Sequence, residues 1–214
     1  MTAYPAADST KSHLICAAGE LAALHGIDNV STRAIAERAG ENIGSIHYHF
    51  GGKDGLMEEM VRGAIAGCRH DVEREVVAEL PEKPTPEELS SAVRQIVVRE
   101  MDDLFRSNRP LWHSQVIYQL MQRDDELYRI FRRDVMEPNL DSLYRFLRLI
   151  DPSLTDEQAF AHVAILKMPI FAHANYRKAM LDHLGTEDFS ESYFRTLENL
   201  LVRQTQLLLG LPQD

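Results

Sequence analysis

The chain has 214 residues, of which 44% are hydrophobic and 26% charged, and its formal net charge is −10. This length and composition are typical of a folded protein with one large domain or two small ones. The acidic balance excludes a broad nucleic-acid-binding surface, because sequence-independent phosphate binding needs clustered lysine and arginine. Any contact with DNA must therefore be local.

Membrane and metal sites are not indicated. No apolar run approaches the roughly 18 residues that cross a bilayer, and the N-terminal stretch MTAYPAADSTK lacks the basic and apolar regions of a signal peptide. We expect a cytoplasmic protein without membrane contact. Cys16 and Cys68 show no metal-ligand spacing. We expect both to be small core residues, and we expect no metal and no cofactor.

Apolar residues recur at three- and four-residue spacing almost throughout, which predicts an all-α fold. The first helix is expected to begin near Ser9 and to end at Gly26 with a left-handed cap. Thr85 to Glu88, with proline at the first helical position, predicts a capping box. Pro138 and Pro169 are expected to kink or interrupt their helices. From residue 53 onward the predicted helices cover 53–80, 86–106, 110–122, 125–149, 156–180 and 189–209.

Two short helices follow the first one. Ser31 is expected to cap a helix that Gly40 closes, and Asn42 to cap the next helix. A step of 100° per residue puts Ile43, Ile46 and Phe50 on the inner side of that second helix. Two short helices joined by a tight glycine-containing turn predict a helix-turn-helix, whose second helix can enter the major groove.

The outer face of the second helix carries groups suited to DNA. Gly44 allows a close approach, Ser45 can hydrogen-bond a base edge, and the aromatic side chains can reach phosphates. Paired helices with a glycine turn also occur in ordinary helical domains, so spacing alone does not decide between the two interpretations. The candidate DNA contacts read from the residues are Arg33, Gly44, Ser45, His47, Tyr48, His49 and Lys53.

A family resemblance favours DNA binding. The segments AAGELAALHG, STRAIAERAG, NIGSIHYHF and GGKDGL occur in register, and from about Thr10 to Val61 the sequence resembles the DNA-binding domain of the TetR family. The resemblance implies a core of Ile35, Ala36, Ala39, Ile46 and Phe50. It also implies that the residues at or near DNA are Thr32, Arg33, Asn42, Gly44, Ser45, His47, Tyr48, His49 and Lys53.

The sequence departs from the family pattern at two positions. Glu41 stands where a small apolar residue is usual, and His47 where tyrosine or asparagine is frequent. Residues 1–60 hold four basic residues against eight acidic ones. These charges predict modest affinity for DNA, although the segment from Ser31 to Lys53 has three basic residues against two acidic ones.

The remaining two thirds of the chain resembles a TetR regulatory domain in length and helical character, and it resembles the CecR-like subgroup in three stretches. These are RPLWH at 109–113, VMEP at 135–138 and the helix around 165–176. Apolar cavities with a few polar groups are how proteins usually hold small molecules. The candidate ligand contacts are Phe105, Trp112, His113, Tyr118, Met121, Phe131, Met136, Tyr144, Met168, Phe171 and His173.

A dimer interface is expected on the last two predicted helices. Leucines stripe the final helix, and alanines on the preceding helix allow another helix to approach closely. Amphipathic helices also pack within their own subunit, which is the alternative for this stripe. The candidate interface residues are Ala161, Ala164, Ala172, Phe194, Leu197, Leu200, Leu201 and Leu208.

These features together predict a homodimeric regulator with a DNA-binding domain at residues 1–60 and a regulatory, ligand-binding and dimerisation domain at 61–214. We expect a repressor released from a palindromic operator by a largely apolar small molecule, with the long helix from residue 53 to 80 acting as a lever. The alternative is a helical adaptor or activator with weak or no DNA binding. No GxSxG, phosphate-loop or HExxH motif occurs, so we do not expect an enzyme.

Overall fold

The computed structural model describes residues 9–67 and 71–213, and within these ranges every regular element is helical. The predicted all-α fold is confirmed. No described helix combines the length and apolarity needed to cross a bilayer. In chain order the α-helices are α1 (Ser9–His25), α2 (Thr32–Ala39), α3 (Ile43–Phe50), α4 (Lys53–Gly67), α5 (Val72–Glu79), α6 (Pro86–Met101), α7 (Trp112–Leu120), α8 (Glu126–Phe131), α9 (Glu137–Ile150), α10 (Asp156–Asn175), α11 (Arg177–Leu184) and α12 (Glu191–Leu208).

The chain divides into two compact units. The first comprises Met1–Cys68 and Arg109–Arg132, and the second Arg69–Asn108 and Arg133–Asp214. The first unit thus contains α7 and α8, which the sequence analysis assigned to the regulatory domain. The domain boundary after residue 60 stays a prediction.

The first unit is built around α1, which packs against α2, α4 and α7. Its apolar face and those of α2, α3 and α4 form one core, because each helix contributes side chains that are fully buried. These are Leu14, Ala18, Ile35, Ile46, Leu56 and Met60. Burying each of these larger apolar side chains stabilises the fold by roughly 1.5–3 kcal/mol.

Trp112 joins α7 to this core. The side chain is 6% exposed, and a Cβ built on Gly19 of α1 would lie 2.3 Å from its ring. The indole also lies near Gly63 of α4, with a ring carbon 3.9 Å from a Cβ built there. Glycine at position 19 therefore provides the space that the only tryptophan of the chain occupies.

The second unit has its own core, formed where α6 packs against α5 and α12, and α9 against α5 and α10.

A lysine side chain lies inside this second unit. Lys167 of α10 contacts the carboxylates of Glu73 on α5 and Glu100 on α6, and the side chains of Lys167 and Glu73 are 12% and 2% exposed. Two carboxylates thus share one buried ammonium group.

Several predicted helix ends are confirmed. The side chains of Ser31 and Asn42 accept the capping hydrogen bonds of α2 and α3, and the capping box of Thr85 and Glu88 is present at the start of α6. The chain after α1 turns at Gly26, where φ is +91° and ψ is +145°. This conformation suits glycine, but it is not the predicted left-handed cap.

The predicted extents of two long helices are wrong. Instead of one helix from 53 to 80, α4 ends at Gly67 and α5 begins at Val72 after Asp71, whose ψ of 3° is not helical; residues 68–70 lie outside the described ranges. The helix predicted from 156 to 180 ends at Asn175, and it runs through Pro169 without a break. Pro138 occupies the first turn of α9, directly after a π-helical turn.

One cysteine prediction is also corrected. Cys16 is exposed rather than a small core residue, because the buried face of α1 is formed by its neighbours at Leu14, Ala17 and Ala18. Cys68 lies outside the described ranges. Within those ranges no cluster of histidine, cysteine and carboxylate side chains could hold a metal ion.

Candidate nucleic-acid interface

The helix-turn-helix of the first unit is formed by α2, a three-residue turn at positions 40–42 and α3. Gly40 closes α2 with a left-handed conformation at φ +68° and ψ +26°, which glycine adopts without strain. The backbone N–H of Glu41 then donates to the carbonyl of Ala36 at 2.9 Å. Asn42 starts α3 by accepting a hydrogen bond from the Gly44 N–H at 2.8 Å.

The buried side of α3 is narrower than the sequence predicted. Ile46 is fully buried and Phe50 is half-buried, but Ile43 is 46% exposed. The predicted inner position is therefore wrong for Ile43. It is the first residue of α3, and its side chain remains accessible to solvent.

The end of α3 is held close to the start of α4. A Cβ built on Gly55 would lie 2.1 Å from the carbonyl oxygen of Phe50, so only glycine fits there. Between them Gly51 adopts a left-handed conformation with φ +73°. These two glycines determine how the chain passes from α3 into α4.

The outer face of α3 carries the predicted DNA contacts. Tyr48 is 84% exposed, and its ring meets that of His49 edge-on with centroids 4.9 Å apart. Thr32, Ser45 and Lys53 are partly buried, and the exposed candidates are Arg33, Asn42, Gly44, His47, Tyr48 and His49. The structure thus brings the nine candidates onto α2, α3 and the first turn of α4, and their contact with DNA stays a prediction.

The charged groups around this face are largely paired. Arg38 donates two hydrogen bonds to Glu20 of α1, at 2.6 and 2.9 Å. Glu41, the acidic residue at the turn, lies 3.2 Å from the imidazole of His13 on α1. The carboxylate that could repel phosphate is therefore held against α1.

Two basic residues remain available to phosphates. Within the described ranges, no ion pair is formed by Arg33 or Lys53. Lys53 is the first residue of α4, where the helix N-terminus also favours an anion. The local positive charge of this face therefore comes from these two side chains rather than from Arg38.

Helix α7 and the segment after it make polar contacts with α1 and with the residues between α1 and α2, and the sequence analysis missed these contacts. Gln119 accepts a hydrogen bond from the N–H of Ile27 and donates one to the carbonyl of Ala22, both at 2.9 Å. Arg123 pairs with Asp28 at 2.7 Å and also with Asp125. The Arg123 hydrogen bonds lower the pKa of both carboxyl groups.

The candidate ligand contacts are distributed over both units. In the first unit, Trp112 and Phe131 are buried, while His113 is partly buried beside Gly67. Burial lowers the pKa of the His113 imidazole, and the nearby Arg109 lowers it further. The first unit holds Trp112, His113, Tyr118, Met121 and Phe131, and the second holds Phe105, Met136, Tyr144, Met168, Phe171 and His173.

In the second unit several of these residues contact one another or the last helix. His173 of α10 hydrogen-bonds the Tyr193 hydroxyl and the Pro169 carbonyl, both at 2.7 Å. Phe105 stacks on Phe194 of α12 with ring centroids 4.9 Å apart. Such contacts suit a packed core as well as a cavity wall, so the ligand contacts stay a prediction.

The candidate dimer residues differ in exposure. Phe194 and Leu201 are 6% and 4% exposed within their own unit. Ala161, Leu200 and Leu208 are exposed, while Ala164, Ala172 and Leu197 are partly buried. No partner chain is present, and the interface stays a prediction.

Comparison with protein families identifies the helix-turn-helix. Residues 14–60 match the family described as bacterial regulatory proteins, tetR family. This match confirms the resemblance drawn from the sequence for the N-terminal segment. A comparison with curated proteins finds no match, and the resemblance to the CecR-like subgroup stays a prediction.

Solved structures of regulators share the fold over nearly the whole chain. AmtR from Mycobacterium smegmatis has a TM-score of 0.63 at 18% identity, with 100% of this chain and 90% of that chain covered. NalD from Pseudomonas aeruginosa, the secondary repressor of the MexAB-OprM multidrug efflux pump, has a TM-score of 0.57 at 18% identity, with 97% and 99% covered. A transcriptional regulator from Rhodococcus sp. Rha1 has a TM-score of 0.53 at 20% identity, with 92% and 96% covered.

Proposed function

Because residues 14–60 belong to the tetR family of bacterial regulatory proteins, we propose that the chain is a DNA-binding transcriptional regulator rather than an enzyme. The observation that carries the proposal is the exposed outer face of α3, with Tyr48 84% exposed, inside a domain of this family. In the part of the chain that the structure describes, Arg33 and Lys53 supply positive charge that no ion pair engages. Gly44 has no side chain to keep the helix away from the base edges.

The test is a mobility-shift titration of the full chain with duplexes from its own upstream DNA. We expect Arg33→Ala to cost about 1–3 kcal/mol of binding free energy if it contacts a base, and to relax preference at one position. Lys53→Ala should weaken binding to all sequences and reduce the salt dependence. Arg38→Gln is the matched control, since Arg38 is engaged by Glu20, and its effect should be smaller.

The same titration decides between the proposal and its alternative. If the protein binds no duplex although circular dichroism shows that it is folded, the helical adaptor is favoured. Equal affinities of the wild type, Arg33→Ala and Lys53→Ala would show that other residues bind the DNA.

We also propose that the functional species is a homodimer. Helices α10 and α12 pack against each other, and both carry large apolar side chains that solvent reaches. Ile165 and Met168 of α10 are 40% and 45% exposed, and Leu200 and Leu207 of α12 are 61% and 66% exposed. A twofold dimer would bury these side chains and would present two α3 helices to half-sites about one helical turn apart.

Sedimentation measures this directly. Leu200→Glu with Leu207→Glu should convert a micromolar dimer to a monomer, because each change would place a charge in the interface. Leu184→Glu is the control, since Leu184 is 47% exposed on α11. A wild-type protein that sediments as a monomer at micromolar concentration would refute the dimer.

The regulatory part of the proposal is a repressor that a largely apolar small molecule releases from a near-palindromic operator. NalD, which has this fold, is named as a repressor. The contact between the rings of Trp112 and His113, with centroids 4.0 Å apart, supports an apolar ligand. A lever made of one continuous helix is excluded by Asp71, directly before α5, whose φ of −120° and ψ of 3° are not helical. Any coupling must pass instead through contacts such as those of α7 with α1.

Linkage defines the test of regulation. A compound found by melting-shift screening should weaken operator binding by the same factor by which the operator weakens binding of the compound. The expected coupling is about 1–3 kcal/mol. A compound that binds tightly beside Trp112 and leaves operator affinity unchanged would rule out this form of regulation.

A further inference from the structure

Ile43 is an exposed apolar residue at the tip of α3. It is the first residue of that helix and is 46% exposed, while Ile46 three residues later is fully buried. Single exposed apolar residues are common on protein surfaces, so exposure alone says little. The position of Ile43 is what matters, because the N-terminal residues of such a helix are the ones that meet base edges.

The first turn of α3 offers few polar groups for reading bases. The Asn42 side-chain oxygen accepts the hydrogen bond of the Gly44 N–H at 2.8 Å, so that oxygen is used in capping. Gly44 has no side chain, and Ser45 is partly buried. Ile43 is therefore the most prominent side chain of this turn.

The direction of the Ile43 side chain also favours contact with DNA. In an α-helix each Cα–Cβ bond tilts toward the N-terminus, so a side chain at the first position extends beyond the end of the helix. His47, four residues later, lies on the same side of α3 and is exposed. The two side chains would thus face adjacent parts of the groove.

Only one group in the major groove matches an aliphatic side chain. Guanine, adenine and cytosine present hydrogen-bonding atoms there, whereas thymine adds a C5-methyl group. Isoleucine cannot hydrogen-bond, and covering a polar edge with it would leave that edge without a partner. We propose that Ile43 is a specificity-determining residue that selects thymine at one position of each operator half-site through contact with this methyl group.

This inference rests on the proposed DNA-binding function, and its test removes the methyl group from the DNA. An operator is first selected from random duplexes with the full chain. Each thymine is then replaced singly by deoxyuridine, which exchanges only the methyl group for hydrogen, and the dissociation constants of the wild type and Ile43→Ala are compared. Because one buried methyl group corresponds to about a fourfold change in affinity, one thymine per half-site should show about a fourfold loss with the wild type.

The variant identifies the protein side of the contact. Ile43→Ala should bind the thymine operator more weakly than the wild type does, and deoxyuridine at the sensitive position should weaken it no further. Leu24→Ala is the matched control, because Leu24 is another exposed apolar residue of this unit, 69% exposed, and should retain the fourfold sensitivity. Thermal melting followed by circular dichroism shows that each variant is folded.

The outcomes separate this inference from the function on which it rests. If the protein binds the operator but each deoxyuridine replacement has the same effect on the wild type and on Ile43→Ala, the role of Ile43 is overturned and the DNA-binding function is not. Selected half-sites without a sensitive thymine overturn it as well. A folded wild type that binds no duplex overturns both the inference and the DNA-binding function.

Discussion

The side-chain oxygen of Gln119 accepts a hydrogen bond from the backbone N–H of Ile27 at 2.9 Å, although 92 residues separate the two. The amide nitrogen of the same side chain donates to the Ala22 carbonyl at 2.9 Å. One glutamine thus satisfies two backbone groups where the chain leaves α1 for the helix-turn-helix. It attaches α7 to the end of α1 and to the segment that leads into α2, independently of apolar packing.

Truncation of Gln119 should destabilise the first unit. Ile27 is 4% exposed, so Gln119→Ala would leave a buried N–H without its partner, at a cost of about 1–3 kcal/mol. Gln122→Ala is the control, because Gln122 is exposed. Chemical denaturation followed by the fluorescence of Trp112 measures the difference, and equal stability of the two variants would contradict the structural role of Gln119.

Gly55 should tolerate no side chain. A Cβ at this position would meet the Phe50 carbonyl at 2.1 Å, so Gly55→Ala should displace α3 from α4, cost about 1–3 kcal/mol and lower operator affinity. Gly63→Ala in the same helix is the matched control, since its Cβ would meet Ile15 at 3.4 Å. We expect Gly63→Ala to be neutral or to stabilise the protein by up to about 1 kcal/mol through helix propensity. Similar melting temperatures of the two variants would refute the clash.

Acidification should destabilise the first unit through His113. Because burial and Arg109 lower the pKa of His113 in the folded protein, the unfolded chain, with a histidine pKa of about 6.5, binds this proton more tightly. The contribution of neutral His113 to the free energy of unfolding is therefore fully present above about pH 6.5, and it is lost progressively as the pH falls below that value.

The variant His113→Gln should reduce the loss of stability between pH 7.5 and 5.5. Denaturation curves at the two pH values provide the comparison, and His183→Gln is the control, because His183 is exposed on α11. An identical pH dependence of wild type and His113→Gln would show that His113 does not contribute.

Lys167 should be essential to the stability of the second unit as long as the carboxylates of Glu73 and Glu100 remain beside it. Lys167→Met would leave Glu73, which is 2% exposed, beside Glu100 without a cation, and breaking a buried ion pair in this way costs about 3–5 kcal/mol. Lys178→Met is the control, since Lys178 is exposed and should change stability by less than about 0.5 kcal/mol. Comparable unfolding free energies of the two variants would show that the buried charges do not need Lys167.

The sequence by itself determined the local elements and the identity of the helix-turn-helix. Ser31, Asn42 and Thr85 act as the predicted caps because capping depends on a residue and its neighbours two or three positions later. Gly40 closes α2 for the same local reason. The family resemblance followed from these short-range patterns, since they occur together within about fifty residues.

The tertiary structure alone decided which residues share a core and where long helices end. Periodicity placed Ile43 on the same side of α3 as Ile46, but in the folded unit Ile46 is fully buried and Ile43 is 46% exposed. The spacing that predicted one helix from 53 to 80 continues past Asp71, whereas the φ of −120° and ψ of 3° at Asp71 are not helical. Apolar periodicity predicts that one face of a segment is buried, but it does not show whether the segment forms one helix or two.

The contacts of Gln119 and Arg123 with the segment before α2 left no pattern in the sequence. Ile27 and Asp28 lie more than 90 residues away from them. Gln119 binds backbone groups, which require no particular residue type at the partner position. In the sequence Gly19 likewise looks like an ordinary small residue, and only the structure shows that Trp112 occupies the space beside it. Such pairings depend on how helices meet in space, because no local rule relates residues that only the folded chain brings together.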